Sequence, residues 1–209
     1  MFRNINEAKE KHIVFAFGRF NPPTAGHSKL IDKVQSEARK RNAGNRIIVS
    51  HSQDKHKNPL TAQDKIKYLS QIHPTVKFEA SSRTYPHFIA HLKKMHKEGH
   101  THVTMVAGSD RVQEFQRLAD KYNGKDYEFK QLKVVSAGER DPDAEGVTGI
   151  SGTKMRAHAS NNDFKSFKLG LHTRASAVVA KNLFKAVRKG MQLHEGDVRH
   201  SFFSFIQEQ

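Results

Sequence analysis

The segment Ile13-Val14-Phe15-Ala16-Phe17, five apolar residues closed by Gly18, constrains this chain more than any other. A run with no polar alternation reads as a strand covered on both faces, the condition met inside a parallel sheet. Parallel neighbours need crossover connections, usually helices. The chain supplies them: Leu30, Ile31, Val34 and Ala38 recur at helical spacing from about His27 to Arg41, and the turn Asn42 to Asn45 contains Gly44 as a stop. The pattern then repeats. Ile47-Ile48-Val49 reads as a second strand, and Val76-Lys77-Phe78 as a third. Val103 to Ala107, closed by Gly108, reads as a fourth, and Leu132 to Val135 as a fifth. Between them lie helices marked by Ile66, Leu69 and Ile72, by Phe88, Ile89, Leu92 and Met95, and by Val112, Phe115 and Leu118. Thr61 and Asp64 resemble a capping box for the first of these, with Asp in the usual place of Glu. The expectation is an α/β chain with a doubly wound, five-stranded parallel sheet. Ligands of such sheets sit beyond the carboxyl ends of the strands at the switch point, where Gly18 and Gly108 would both point.

After Val135 the character changes. Ala137 to Gly149 is rich in Gly, Pro and acidic residues and reads as a loop. Helices are expected around Lys154 to Ala159, Asp163 to Leu169 and Ala175 to Met191, the last with Val178, Val179, Leu183, Phe184 and Val187 on one side. This divides the chain into an α/β domain, 1–156, and a C-terminal helical extension with a tail, 157–209. The tail carries Phe202, Phe203, Phe205 and Ile206. A sheet already covered on both faces leaves them no internal vacancy, so a subunit contact in a homo-oligomer is expected.

Charge narrows the partners. The formal net charge is +15, from 36 Lys and Arg against 21 Asp and Glu. Such a chain attracts polyanions, whether nucleoside triphosphates, nucleic acid or acidic protein surfaces. The absence of cysteine excludes disulfides and thiolate metal sites and fits a reducing cytoplasm. No apolar run reaches transmembrane length, and Met1 to Lys11 lacks the apolar stretch of a secretory signal, so no membrane role is expected.

Two segments carry the chemistry. The first is Gly18-Arg19-Phe20-Asn21-Pro22-Pro23-Thr24-Ala25-Gly26-His27, between a buried strand and an amphipathic helix. Gly18 would let a phosphate chain approach the backbone, and Pro22 and Pro23 stiffen the turn. His27 would arrive at a helix N-terminus, where unpaired N–H groups and the dipole favour an anion, with Thr24 near enough to share it. The structural alternative is a tight connection with a capping histidine. The second segment is Ile150-Ser151-Gly152-Thr153-Lys154-Met155-Arg156. Ser151 and Thr153 offer hydroxyls at a helix start, and Lys154 and Arg156 add charge suited to phosphate oxygens. At the end of the fourth strand, Gly108-Ser109-Asp110 offers Asp110 either to the pocket or as a helix N-cap.

Together these strings resemble the nucleotidyltransferase superfamily, with its strand, G-x-F-x-P and [HT]-x-G-H signature and its later I-S-S-T-x-[IM]-R segment. The first motif looks most like nicotinamide-mononucleotide adenylyltransferases, and very similar strings occur in large tailed phages. Gly152 stands where the second serine of the later segment is usual. The resemblance implies a Rossmann-like nucleotidyltransferase fold and attack by an acceptor phosphate on the α-phosphorus of a triphosphate, with release of pyrophosphate. ATP is favoured over CTP. His27, Thr24, Lys154 and Arg156 would be the catalytic set. Gly18, Arg19, Phe20, Asn21, Gly26, Gly108, Asp110, Ser151 and Thr153 would bind the nucleotide. Mg²⁺ would be held mainly by the triphosphate, with no dedicated protein cage.

The loop His51 to Leu60 offers Lys55 and Lys57, and Lys65 follows it; Lys57 is the preferred contact for acceptor phosphate, as the resemblance implies. His51, His56, His100 and His102 show no ligand spacing with a carboxylate, so no metal is assigned to protein ligands. The competing reading is a nucleotide-binding or assembly module with little turnover, associated with a phage virion or with nucleic acid. The location expected is cytoplasmic, in the host if the chain is phage-encoded.

Overall fold

The computed structural model describes residues 10–138 and 150–194. Five strands, β1 (His12–Gly18), β2 (Gly44–Val49), β3 (Phe78–Ala80), β4 (His102–Ala107) and β5 (Gln131–Ser136), form one sheet in the order β3-β2-β1-β4-β5. Every pairing is parallel. Helices α1 (Ala25–Lys40), α2 (Ala62–Ile72), α3 (Phe88–Lys97) and α4 (Val112–Tyr122) supply the connections. Strand order turns back between β1 and β4, so the switch point lies between Gly18 and Gly108, as expected for a doubly wound sheet.

The apolar run of β1 is explained by its two coats. Ile13 and Phe15 join one core with α3 and α4 residues such as Leu92, Met95 and Ala119. Val14 and Ala16 join the other with Ile31, Val34 and Leu69 of α1 and α2. β3 lies two residues later than the sequence predicts. Val76 is buried in the turn after α2, where its N–H bonds the His73 carbonyl, and the paired residues are Phe78, Glu79 and Ala80. This edge strand admits Glu79, which breaks the apolar pattern.

Helices α5 (Gly152–Ser160), α6 (Phe164–Leu169) and α7 (Ala177–Gly190) build a third core around Met155, Phe167, Leu183 and Phe184. Leu60 and Tyr68 enter it from the region of α2, and the Tyr68 hydroxyl donates to the Asn182 carbonyl at 3.1 Å. Val178, grouped with the buried side of α7 on periodicity, is 68% exposed. The boundary expected between Arg156 and Ala157 falls inside α5. Most of the expected loop after Ala137, and the tail with Phe202, Phe203, Phe205 and Ile206, lie outside the described residues.

Two buried histidines tie this packing to pH. His73, which ends α2, accepts from Arg174 Nη1 at Nδ1 (2.9 Å), so its Nε2–H donates to Ser28 Oγ (2.9 Å). Burial, and then the Arg174 cation, pull its pKa down to about 4. His91 of α3 is likewise pulled to about 4, mainly by burial. Both folded-state values lie below the unfolded value near 6.5, so the unfolded chain takes up protons first as pH falls. Stability is therefore full above about pH 7 and is lost on the way down to pH 4. Urea unfolding at pH 5 should show about 2 kcal/mol less stability per histidine than at pH 7. His73→Asn should remove its share of that slope; an unchanged slope would contradict the assignment.

Candidate active site at the switch point

The loop after β1 is shaped by its own aromatic residue. Phe20 has φ 48° and is buried, and its ring folds back over Gly18, where a Cβ would meet Phe20 Cε2 at 2.9 Å. The Cβ side of Gly18 is thus filled by the chain's own aromatic ring. Asn21, also buried, pairs with Leu60 in both directions: its amide donates to the Leu60 carbonyl (3.1 Å) and its side-chain oxygen accepts from the Leu60 N–H (3.0 Å). Its side chain is a splint between two loops.

Helix α1 begins at Ala25, so His27 is its third residue and Thr24 its N-cap. Thr24 Oγ1 accepts from the His27 N–H (3.3 Å), and the Thr24 N–H donates to His27 Nδ1 (3.1 Å). This is a capping box closed by histidine where Glu or Gln is usual. An Nδ1 that accepts carries no proton, so the neutral ring is protonated at Nε2. The Phe20 ring, 4.8 Å away, packs against the imidazole and fixes its plane. Gly26 is exposed on this first turn, and a Cβ there would make only ordinary contact with Thr24 Oγ1 at 3.6 Å.

The two sequence motifs meet. Arg156 Nη1 donates to the Asn21 carbonyl (2.8 Å), and Nη2 donates to Thr153 Oγ1 (3.1 Å). Gly152 stands at the crossing: a Cβ would lie 3.3 Å from the Asn21 oxygen and 3.4 Å from Arg156 Nη1. A residue with a Cβ there would need both neighbours to give slightly. Ser151 is the N-cap of α5 and accepts from the Lys154 N–H (3.2 Å), while Thr153 and Lys154 are exposed on the first turn. Burial lowers the Arg156 pKa, and the neighbouring Arg19 cation lowers it further, with Asp54 opposing. Two guanidiniums that repel each other beside a helix N-terminus make a place where an anion gains energy.

The remaining expected residues are distributed as follows. Lys57 is exposed on the turn Asp54–Asn58, whose Asp54 carboxylate accepts from the His56 N–H (2.9 Å), the Lys57 N–H (2.6 Å) and the Asn58 amide (2.6 Å). Those bonds, led by Lys57, hold Asp54 well below the usual carboxylate range. Lys65, by contrast, is fully buried with Nζ on the Ser50 carbonyl, and burial pulls its pKa to about 8. Asp110 is not a helix N-cap. It lies in a 3-10 turn (Ser109–Arg111), with Oδ1 2.7 Å from where a Cβ on Gly108 would stand, and α4 has no side-chain cap.

Sequence reasoning missed three contributors. The Gly170 carbonyl accepts the N–H of Ala25, the first amide of α1, at 2.9 Å. Arg174 reaches Asp32 of α1 (3.1 and 3.2 Å) as well as His73. Leu60 holds Asn21. A glycine before Leu171 was visible, but its partner, 145 positions earlier (170 − 25), was not.

Comparison with known proteins agrees with this architecture. The family model described as cytidylyltransferase-like matches residues 15–158. A solved structure from Vibrio parahaemolyticus, described as a candidate nicotinate-nucleotide adenylyltransferase, superposes with a TM-score of 0.55 at 17% identity, covering 83% of this chain and 98% of its own. A bifunctional NMN adenylyltransferase/ADP ribose pyrophosphatase from Francisella tularensis superposes with a TM-score of 0.54 at 16% identity, covering 87% of this chain. This chain spans 53% of that longer protein. No curated protein sequence matches. Among the described residues, no helix is long and apolar enough to cross a membrane.

Proposed function

The chain belongs to the cytidylyltransferase-like family and is a nucleotidyltransferase; on that premise we propose that it transfers an adenylyl group from ATP to a phosphate-bearing small molecule and releases pyrophosphate. The observation that supports this reading is the Arg156–Asn21 bond, which joins the second motif to the loop of the first, just ahead of the Thr24–His27 turn. An acceptor phosphate oxygen forms a bond to the α-phosphorus as the bond to the β-phosphate bridge oxygen breaks, and the electron pair leaves with pyrophosphate. No protein nucleophile is needed; the work is positioning and charge stabilisation. The His27 Nε2–H donates to a phosphate oxygen as negative charge builds there. Arg156, Lys154 and Arg19 hold the outer phosphates. Among the described residues, a Cβ at Gly26 on the first turn would meet only Thr24 Oγ1, at 3.6 Å.

Mg²⁺ neutralises triphosphate charge when bound. The residues present fit a metal carried by phosphates, because the converging side chains are cations and the nearby Asp54 is engaged by its own turn. Lys57 is assigned to the acceptor phosphate. It is exposed on the turn whose Asp54 lies within electrostatic reach of Arg156. ATP is preferred to CTP on the likeness of the first motif to adenylyltransferases. The test is pyrophosphate release with ATP and with CTP against a panel of phosphate-bearing acceptors. Triphosphate binding without release for any pair would favour a binding module.

Lys154→Ala and Arg156→Ala are expected to weaken triphosphate binding more than monophosphate binding, each by about 1.5–3 kcal/mol, the worth of a charged hydrogen bond. Calorimetry with ATP and AMP checks this, and equal losses for the two ligands would contradict the placement.

A further inference from the structure

We propose that Glu10, His12 and His102 form a binding site for a divalent transition-metal ion of the zinc class, separate from the nucleotide site. The site follows from strand register. His12 opens β1 and His102 opens β4, and the two are direct partners in the parallel ladder. Side chains at paired positions on neighbouring strands leave the same face of the sheet, one strand spacing apart. Accordingly the two imidazoles stack, with centroids 4.2 Å apart and planes 12° from parallel. Glu10 lies two residues before His12, which returns it to the same face. One carboxylate oxygen stands 3.4 Å from His12 Nε2 and the other 3.8 Å from His102 Nε2.

The three ligand atoms lie within 4.8 Å of one another. Zinc takes imidazole nitrogen at about 2.0–2.1 Å and carboxylate oxygen at about 2.0–2.2 Å, so a tetrahedral shell needs ligand atoms about 3.3 Å apart. The stacked rings now hold their Nε2 lone pairs nearly parallel, so binding requires both imidazoles to rotate about their side-chain bonds until the lone pairs converge on one ion. Two histidines and one carboxylate leave a fourth position for water. This nitrogen-rich set suits Zn²⁺, Co²⁺ or Ni²⁺ and not Mg²⁺.

The surroundings support the ligands. Thr101 Oγ1 accepts from the Lys11 N–H (3.0 Å) and contacts His102 Nδ1 at 2.9 Å. With Nδ1–H donating to that oxygen, the Nε2 lone pair faces Glu10, and this outer hydrogen bond holds the ring as such bonds do in metal-bound histidines. Lys11, on the opposite face, sends its ammonium to the Glu98 carbonyl (2.7 Å), so it does not compete for Glu10. The site is also remote from the chemistry. Parallel strands put it at their amino ends, and the six steps from His12 to Gly18 place it about 20 Å from the switch point. The ion would pin the chain entering β1 onto the neighbouring strand.

The test uses the full chain, stripped with a chelator and titrated with ZnCl2 at pH 7.5, with MgCl2 as control. One Zn²⁺ per chain is expected at micromolar or tighter affinity, with no Mg²⁺ bound by these residues. His12→Asn, His102→Asn and Glu10→Gln should each weaken Zn²⁺ binding at least tenfold, whereas His56→Asn should not. Zn²⁺ should raise the melting temperature of the parent chain and not that of His102→Asn. Circular dichroism and melting in chelator separate a misfolded variant from one that has only lost a ligand. A folded parent chain that takes up no Zn²⁺, or variants that fold and bind it unchanged, would overturn the proposal.

Discussion

Replacing His27 with alanine is expected to lower kcat by about 10²–10³-fold, the cost of about 2.7–4 kcal/mol for losing one donor aimed at developing charge. Triphosphate affinity should change only a few-fold, because the donor matters most when charge has built up on the phosphate. The substitution also opens the capping box with Thr24, which costs about 1 kcal/mol of stability. The two effects separate with His27→Gln, whose amide oxygen can accept from the Thr24 N–H and close the box again. That variant should recover the stability without recovering the rate. Pyrophosphate release measured with a working substrate pair decides the matter, and an unchanged kcat in His27→Ala would remove histidine from the proposed mechanism.

Gly190→Ala is expected to destabilise the fold by an amount near the top of the roughly 1–3 kcal/mol range for overpacking. Helix propensity alone argues the other way, since alanine is favoured over glycine inside a helix by about 1 kcal/mol. Contact decides the sign. A Cβ on Gly190 would stand 2.0 Å from the Pro59 carbonyl oxygen and 2.7 Å from its carbon, and a backbone cannot swing aside as a side-chain tip can. Pro59 precedes Leu60, whose N–H and carbonyl hold Asn21, so displacement should reach the nucleotide loop as a raised KM. Gly44→Ala is the control. It is exposed, and its nearest contact would be the His12 carbonyl oxygen at 3.9 Å, so denaturant midpoints should barely move. Equal behaviour of the two variants would count against the packing argument.

The strands were legible because burial on both faces turns a strand into an apolar run, and β1, β2 and β4 all satisfy that condition. β3 was displaced because an edge strand tolerates Glu79, while Val76, buried in a turn, mimics a strand residue. Within the candidate site, local geometry was legible: Thr24 and His27 are three residues apart on one turn, and Ser151 caps the helix that carries Lys154 and Arg156. Geometry was illegible where residues meet across the fold. The sequence does not announce that Asn21 serves Leu60, that Gly18 serves the Phe20 ring, or that Gly152 clears the Arg156 crossing. The same limit hid the pairing of His12 with His102, which are 90 positions apart (102 − 12) and meet only through strand register.

The bond from Ala25 to Gly170 gives the chain a built-in reporter. The first amide of a helix has no partner within it and normally exchanges its proton with solvent freely. Here that amide is closed off by the carbonyl of a residue between α6 and α7. Its isotope exchange therefore counts openings of the C-terminal helices away from the nucleotide turn, at a single resolvable backbone site. A nucleotide that tightens the turn should slow exchange at Ala25, and a lesion such as Gly190→Ala should quicken it, even if the sheet amides beneath remain protected.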